Sequence, residues 1–174
     1  MCISLYLKSV FKKLDFYLSN KQITSLLYLQ DQDHHRLADV VFLQTNNQQV
    51  IGMFIDGVNP FFTSYLPDQR DDFNLFATYE KLSIQSVPYI FCIEKVYSFH
   101  HRLYHEHLAI YVSNKQEKQS ILILFLQDEC YIKTDISYEQ CKEIILQNIK
   151  HTSKDELCCY HRDIVSNDWI EITD

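Results

Sequence analysis

The sequence predicts an α+β domain whose antiparallel sheet is flanked by an N-terminal and a C-terminal helix, with a short helix between two groups of strands. Two segments with helical periodicity enclose a region in which apolar residues alternate with a period of two. The chain has 174 residues, of which 47% are hydrophobic. This suits one domain with a substantial core, which we assign to residues 1–150, followed by an acidic segment at 151–174.

The first element is an amphipathic helix that ends near Asn20. Its apolar face consists of Ile3, Tyr6, Leu7, Val10, Phe11, Leu14, Tyr17 and Leu18. Lysines and Asp15 occupy the other face, which we interpret as solvated rather than membrane-bound.

Three antiparallel strands are expected between Ile23 and Ile55. Their apolar runs, at 24–29, 37–43 and 50–55, are separated by turn-forming residues at 31–33 and 45–48. Residues 57–69 include Pro60 and Pro67 and indicate a connection. Asp71 or Asp72 then caps the short helix.

A second group of strands is expected at 87–93, 107–112 and 121–126. Some of these residues also fit helical spacing, namely Ile93, Val96, Tyr97, Tyr104, Leu108 and Tyr111. The aromatic and β-branched content favours strands.

The C-terminal helix has the clearest start signal. Ser137 and Gln140 form a capping box, and Ile136 with Cys141 stands where a hydrophobic staple belongs. Its core face is Cys141, Ile144, Ile145 and Ile149.

The segment from 151 to 174 holds six acidic and two basic residues around the single tryptophan, Trp169. Bulky apolar residues beside Trp169 must pack on something. We expect packing on the domain itself. The alternative is a partner-binding role, with Trp169 as anchor and Asp168 and Glu171 steering a basic partner.

Composition excludes several classes of function. Gly52 and Gly57 are the only glycines, too few for a dinucleotide fingerprint, and Val58-Asn59 follows where a P-loop requires Lys and Ser or Thr. A net charge of -7 argues against nucleic acid as a partner. The longest apolar run, 121–126, is too short to span a membrane.

Two further features indicate the compartment. The N-terminal stretch is interrupted by lysines and does not resemble a secretory signal, so we expect a cytoplasmic protein. Six cysteines without regular spacing predict reduced, mostly buried thiols rather than a disulfide framework.

The histidines form the most distinctive cluster in the sequence. His101, His105 and His107 are close enough in the chain to suggest a zinc or other transition-metal site, with a further ligand from the Cys158-Cys159-x-His161 group. No known ligand spacing is reproduced. We therefore expect surface histidines at a polar strand edge, and no metal or other cofactor.

A thiol enzyme is the alternative to a binding protein. His35, Asp56, Gln85 and Cys92 occur in an order similar to that of the ubiquitin-like-protein proteases and the related bacterial effector acetyltransferases, over residues 34–97. The resemblance implies a hydrolase or acyltransferase, such as a secreted effector, with Cys92 as nucleophile and His35 as base. Those families place glycine after the nucleophile, whereas Ile93 follows Cys92, and its apolar neighbours predict a buried thiol.

The leading prediction is a non-enzymatic module that binds another protein as a chaperone, adaptor or inhibitor. The element order is similar to that of small acidic bacterial secretion chaperones. That similarity concerns layout alone and carries no shared motif.

Overall fold

The computed structural model describes residues 4–37, 40–56, 59–64, 83–126, 129–149, 152–163 and 166–173. Within these ranges the elements are α1 (Leu5–Tyr17), β1 (Gln22–Gln30), β2 (Val40–Thr45), β3 (Val50–Asp56), β4 (Asn59–Thr63), β5 (Ser83–Cys92), β6 (Lys95–His101), β7 (His107–Ser113), β8 (Ser120–Phe125), β9 (Cys130–Thr134), α2 (Tyr138–Asn148), β10 (Leu157–Arg162) and β11 (Trp169–Ile172).

The strands form two antiparallel sheets. One has the order β4-β3-β2-β1-β5 and the other the order β11-β10-β6-β7-β8-β9. The α+β class and the antiparallel pairing are confirmed, although the fold is mostly sheet and has two sheets rather than one. No helix in the described ranges is long and apolar enough to cross a membrane.

Helix α1 packs into the core between elements of both sheets. Its buried face includes Leu7, Phe11 and Leu14, which belong to one apolar cluster with residues of both sheets. Ser4 caps the helix by accepting a hydrogen bond from Leu7 N at 3.2 Å. The predicted helix is confirmed, and it ends at Tyr17.

Helix α2 covers the other face of the six-stranded sheet. The predicted capping box is present, because Ser137 Oγ accepts from Gln140 N and the Gln140 side chain accepts from Ser137 N. Cys141 and Ile145 are buried in a cluster with residues of β6, β7, β8 and β10.

Several strands differ from expectation. The three strands predicted between Ile23 and Ile55 are present, but β4 occupies part of the expected connection. Pro60 is compatible with it because β4 lies at a sheet edge. Strands β6, β9, β10 and β11 were not predicted. For residues 93–111 the favoured strand prediction is confirmed over the helical alternative, because β6 and β7 lie there. The predicted short helix after Asp71 falls outside the described residues.

The acidic C-terminal segment contributes β10 and β11 to the six-stranded sheet. Strand β10 pairs with β6, and β11 pairs with β10. The segment is thus hydrogen-bonded along its strands to the rest of the chain.

Candidate functional site

Two buried histidines face each other across β6 and β7. The rings of His100 and His107 lie parallel with centroids 4.6 Å apart, and their exposed fractions are 1% and 2%. Ser98 Oγ lies 2.7 Å from His100 Nε2 and 3.0 Å from His107 Nε2, so one hydroxyl bridges both rings. This network fixes the orientation of each imidazole.

Burial keeps both imidazoles neutral at neutral pH. Desolvation lowers the pKa of His100 to about 3, partly opposed by the His105 backbone. Desolvation, with a smaller contribution from the charge of His100, lowers the pKa of His107 well below its ordinary value. A neutral imidazole is the form that binds metals.

The trio His101, His105 and His107 does not converge. His107 is hydrogen-bonded to Ser98, and His101 Nδ1 lies 3.2 Å from the backbone nitrogen of Leu103, which donates to it. His105 is exposed and has a left-handed φ of 56°. The expectation of surface histidines is also wrong for His101 and His107, which are buried because the strand turns them inward.

A different set of side chains surrounds a cavity of about 50 Å³ at the end of β6, which we call the His100 pocket. It is lined by Leu7, His100, His101, Arg102, His105, Cys158, Tyr160 and Glu171. Cys158 lies directly opposite His100 in the β10–β6 ladder. The pocket therefore places a thiol beside a neutral imidazole.

Two charged side chains, Arg102 and Glu171, lie near Cys158. Arg102 Nη1 lies 3.1 Å from Glu171 Oε1 in an ion pair. Burial raises the pKa of the Cys158 thiol; nearby Arg102 opposes this shift, and Glu171 adds to it through its charge and a hydrogen bond. The thiol is thus protonated when nothing binds it.

Elsewhere, the described residues hold one group with metal-type spacing, Asp31, Asp33 and His35, in the loop after β1. Asp31 Oδ1 accepts hydrogen bonds from the backbone nitrogens of Asp33 and His35, which lowers the pKa of Asp31. These contacts account for the group as an ordinary acidic turn.

The four residues of the thiol-enzyme alternative are not brought together. Cys92 lies opposite Gln22, whereas the His35 loop closes at the other end of β1, where Gln30 lies opposite Ser83. Eight residues of strand separate these ends by about 26 Å.

The other members of that set lie apart as well. Gln85 accepts a hydrogen bond from Arg36 Nε at 3.0 Å, and the backbone of Asp56 pairs with Asn59 at the end of β3. Cys92 is exposed, so the expectation that it is buried is wrong. It lies at the end of β5 on the face that alternation turns outward. The other cysteines in the described ranges are buried and reduced.

Trp169 is buried within the chain rather than displayed. Its exposed fraction is 9%, and its Nε1 atom donates to Asp15 Oδ2 at 3.3 Å. Asp168 is exposed, and Glu171 is paired with Arg102. In this conformation the indole is not available to anchor a partner.

Strand β5 is the longest edge strand among the described residues. It is ten residues long, lies at an edge of the five-stranded sheet and contains no charged residue. The other edge strands have four or five residues. Ile84 and Ile90 are 48% and 59% exposed. The absence of charged residues from 83–92 can be read from the sequence, whereas the edge position of β5 is seen only in the structure.

No protein-family model matches the chain, and no curated protein or solved structure matches it.

Proposed function

We propose that this chain is a non-enzymatic protein-binding module that takes up an extended segment of another protein along the outer edge of β5. The observation that carries the proposal is a ten-residue edge strand without a charged side chain. Edge strands usually carry charges or are short, because an open row of backbone donors and acceptors pairs with other chains. Strand β5 lacks both protections.

The direction of the backbone groups supports a specific register. The carbonyl of Leu29 accepts a hydrogen bond from Leu37 N at 2.9 Å, so the backbone N–H and C=O of Leu29 point away from β5. Ile84 lies directly opposite Leu29, so the two form a non-hydrogen-bonded pair and the backbone N–H and C=O of Ile84 point away from β1. Backbone groups alternate in direction along a strand, so the N–H and C=O of Ser86 also point away from β1. Both residues direct an N–H and a C=O to the edge on which no described strand pairs with β5.

The open register has a defined end. Pro88 is the next residue whose backbone points to the outer edge, but proline has no N–H to donate. Beyond it, the carbonyl of Ile90 already accepts a hydrogen bond from Gln119 Nε2 at 2.7 Å. An added strand would therefore pair with Ile84 and Ser86 and end near Pro88. Its main chain would supply affinity, and the exposed Ile84 side chain would contact the partner residue that lies opposite it.

The test uses a displayed library of random peptides as the probe, selected on the full chain. The Ile84→Lys variant introduces an edge charge, and we expect it to weaken binding of selected peptides by about tenfold or more. Ile170→Lys is the matched control, because Ile170 is 45% exposed on the edge strand β11. It should leave binding unchanged.

A second variant tests the backbone directly. Ser86→Pro removes one outward N–H and should abolish binding while the thermal midpoint stays close to that of the unmodified chain. Amide exchange at Ile84 and Ser86 should slow when a selected peptide is bound. Equal binding by all variants, or protection elsewhere with none in β5, contradicts the proposal.

A further inference from the structure

The strand register brings a histidine and a cysteine from distant parts of the chain onto one face. His100 in β6 lies directly opposite Cys158 in β10, so their side chains project to the same side of the sheet. Both are buried, at 1% and 5% exposure. Both border the His100 pocket, whose volume of about 50 Å³ suits an ion and a water molecule.

His100 is arranged as a histidine ligand usually is. Ser98 holds Nε2 at 2.7 Å and fixes the ring. The other nitrogen, Nδ1, is buried and has no hydrogen-bond partner among the described residues. The backbone of His105 lies near the ring and offsets part of the effect of burial on the pKa of His100. In metal sites one ring nitrogen is likewise held while the other binds the ion.

The chemistry of the donors selects the class of ion. An imidazole nitrogen and a cysteine sulfur are characteristic ligands of zinc and similar transition metals. Glu171 also lines the pocket, but its carboxylate is paired with Arg102. A hard cation such as magnesium or calcium would need several oxygen ligands, which this lining does not offer.

The third donor comes from the turn between β6 and β7. His105 lines the same pocket, and its side chain is exposed. The ligand atoms of His100, His105 and Cys158 do not all lie within 4.8 Å of one another in the structure. Closure therefore requires the His105 side chain to rotate inward, as an exposed side chain does rapidly.

We propose that the His100 pocket binds one zinc-type divalent ion through His100 Nδ1, Cys158 Sγ and His105, with water as the fourth ligand. On binding, the sulfur–hydrogen bond of Cys158 breaks, a sulfur–metal bond forms, and the proton leaves to solvent. No electron is transferred. Zinc would thereby tie the turn at His105 to the C-terminal strands.

Cobalt(II) is the probe, added to the reduced full chain. We expect one ion per chain and a near-ultraviolet charge-transfer band from thiolate to cobalt. Cys158→Ser should abolish the band, whereas Cys92→Ser, which removes an exposed thiol, should leave it intact. His105→Ala should weaken cobalt binding about 10- to 100-fold, and His35→Ala should not.

A measurement on the unmodified chain keeps the proposal testable if Cys158→Ser does not fold. In dilute urea, where local opening exposes the buried Cys158 to reagent, zinc should slow alkylation of Cys158, mapped by peptide mass spectrometry, and should leave alkylation of the exposed Cys92 unchanged. Cobalt binding without the thiolate band, or a band that persists in folded Cys158→Ser, overturns the site. Equal alkylation of Cys158 with and without zinc does so as well.

Discussion

The indole of Trp169 stacks on the phenyl ring of Phe11, with centroids 4.5 Å apart and planes 5° from parallel. The contact joins β11, near the end of the sequence, to α1 near its start. Asp15 reinforces it by accepting from Trp169 Nε1 at 3.3 Å and by lying 2.6 Å from Arg162 Nε. The C-terminal hairpin is thereby docked on the first helix.

Replacing Trp169 by alanine should lower the free energy of unfolding by about 3–5 kcal/mol, because a buried, stacked aromatic is lost. The neighbouring Ile170 is 45% exposed. Ile170→Ala is thus the control, with an expected change within about 0.5 kcal/mol. Urea unfolding measures both. A Trp169→Ala chain as stable as the control would contradict internal docking.

Gly52 should not tolerate even a methyl group. A Cβ atom at Gly52 would lie 2.6 Å from Phe42 Cε1 and 2.7 Å from Thr63 Cγ2, where β2 and β4 flank β3. Gly52→Ala should therefore destabilise the chain by about 1–3 kcal/mol in urea unfolding. Ser25→Ala, a small substitution on β1, serves as the control and should change stability by less. A stabilised Gly52→Ala chain would show that the strands move apart easily.

Cys92 and Cys141 should differ sharply in reactivity. Cys92 is exposed, whereas Cys141 is 0% exposed and burial raises the pKa of its thiol. A thiol reagent at neutral pH should modify Cys92 in the folded chain and Cys141 only after unfolding. Peptide mass spectrometry resolves the two sites. Cys92→Ala should change the free energy of unfolding by less than about 0.5 kcal/mol, since no buried group is removed.

Alkaline pH should destabilise the fold partly through Tyr111. Burial raises the pKa of Tyr111 to about 12 from its ordinary value of 10. The folded chain thus keeps its proton where the unfolded chain releases it, so stability is fully present below pH 10 and falls as pH rises toward 12.

Tyr111→Phe should flatten this decline. It also removes a hydrogen bond from Tyr111 to the carbonyl of Ile136, so slopes between pH 9 and about 11 are compared rather than absolute stabilities. Tyr104→Phe is the control, because Tyr104 is 76% exposed. Identical slopes of stability against pH for the unmodified chain, Tyr111→Phe and Tyr104→Phe would contradict the assignment of this decline to Tyr111.

Local patterns predicted the helices well. The capping box of Ser137 and Gln140 and the buried face of α1 depend on residues three or four positions apart, and both are present. Alternation predicted β1 to β3, and aromatic and β-branched content predicted β5, β7 and β8. Neither signal predicted β10, where Cys158 and Cys159 are both buried because each face of the strand packs on a different apolar cluster.

The candidate sites depended on contacts that no local pattern encodes. The histidine cluster and the Cys158 group were visible in the sequence, yet only the pairing of β6 with β10 selects His100 as the partner of Cys158. The same applies to β5, whose uncharged composition is a property of the sequence and whose edge position is a property of the sheet. By itself the sequence determined composition and the buried faces of the two described helices, because these follow from neighbours along the chain. The tertiary structure alone decided strand order and register, because hydrogen bonds between strands join residues regardless of their separation in sequence.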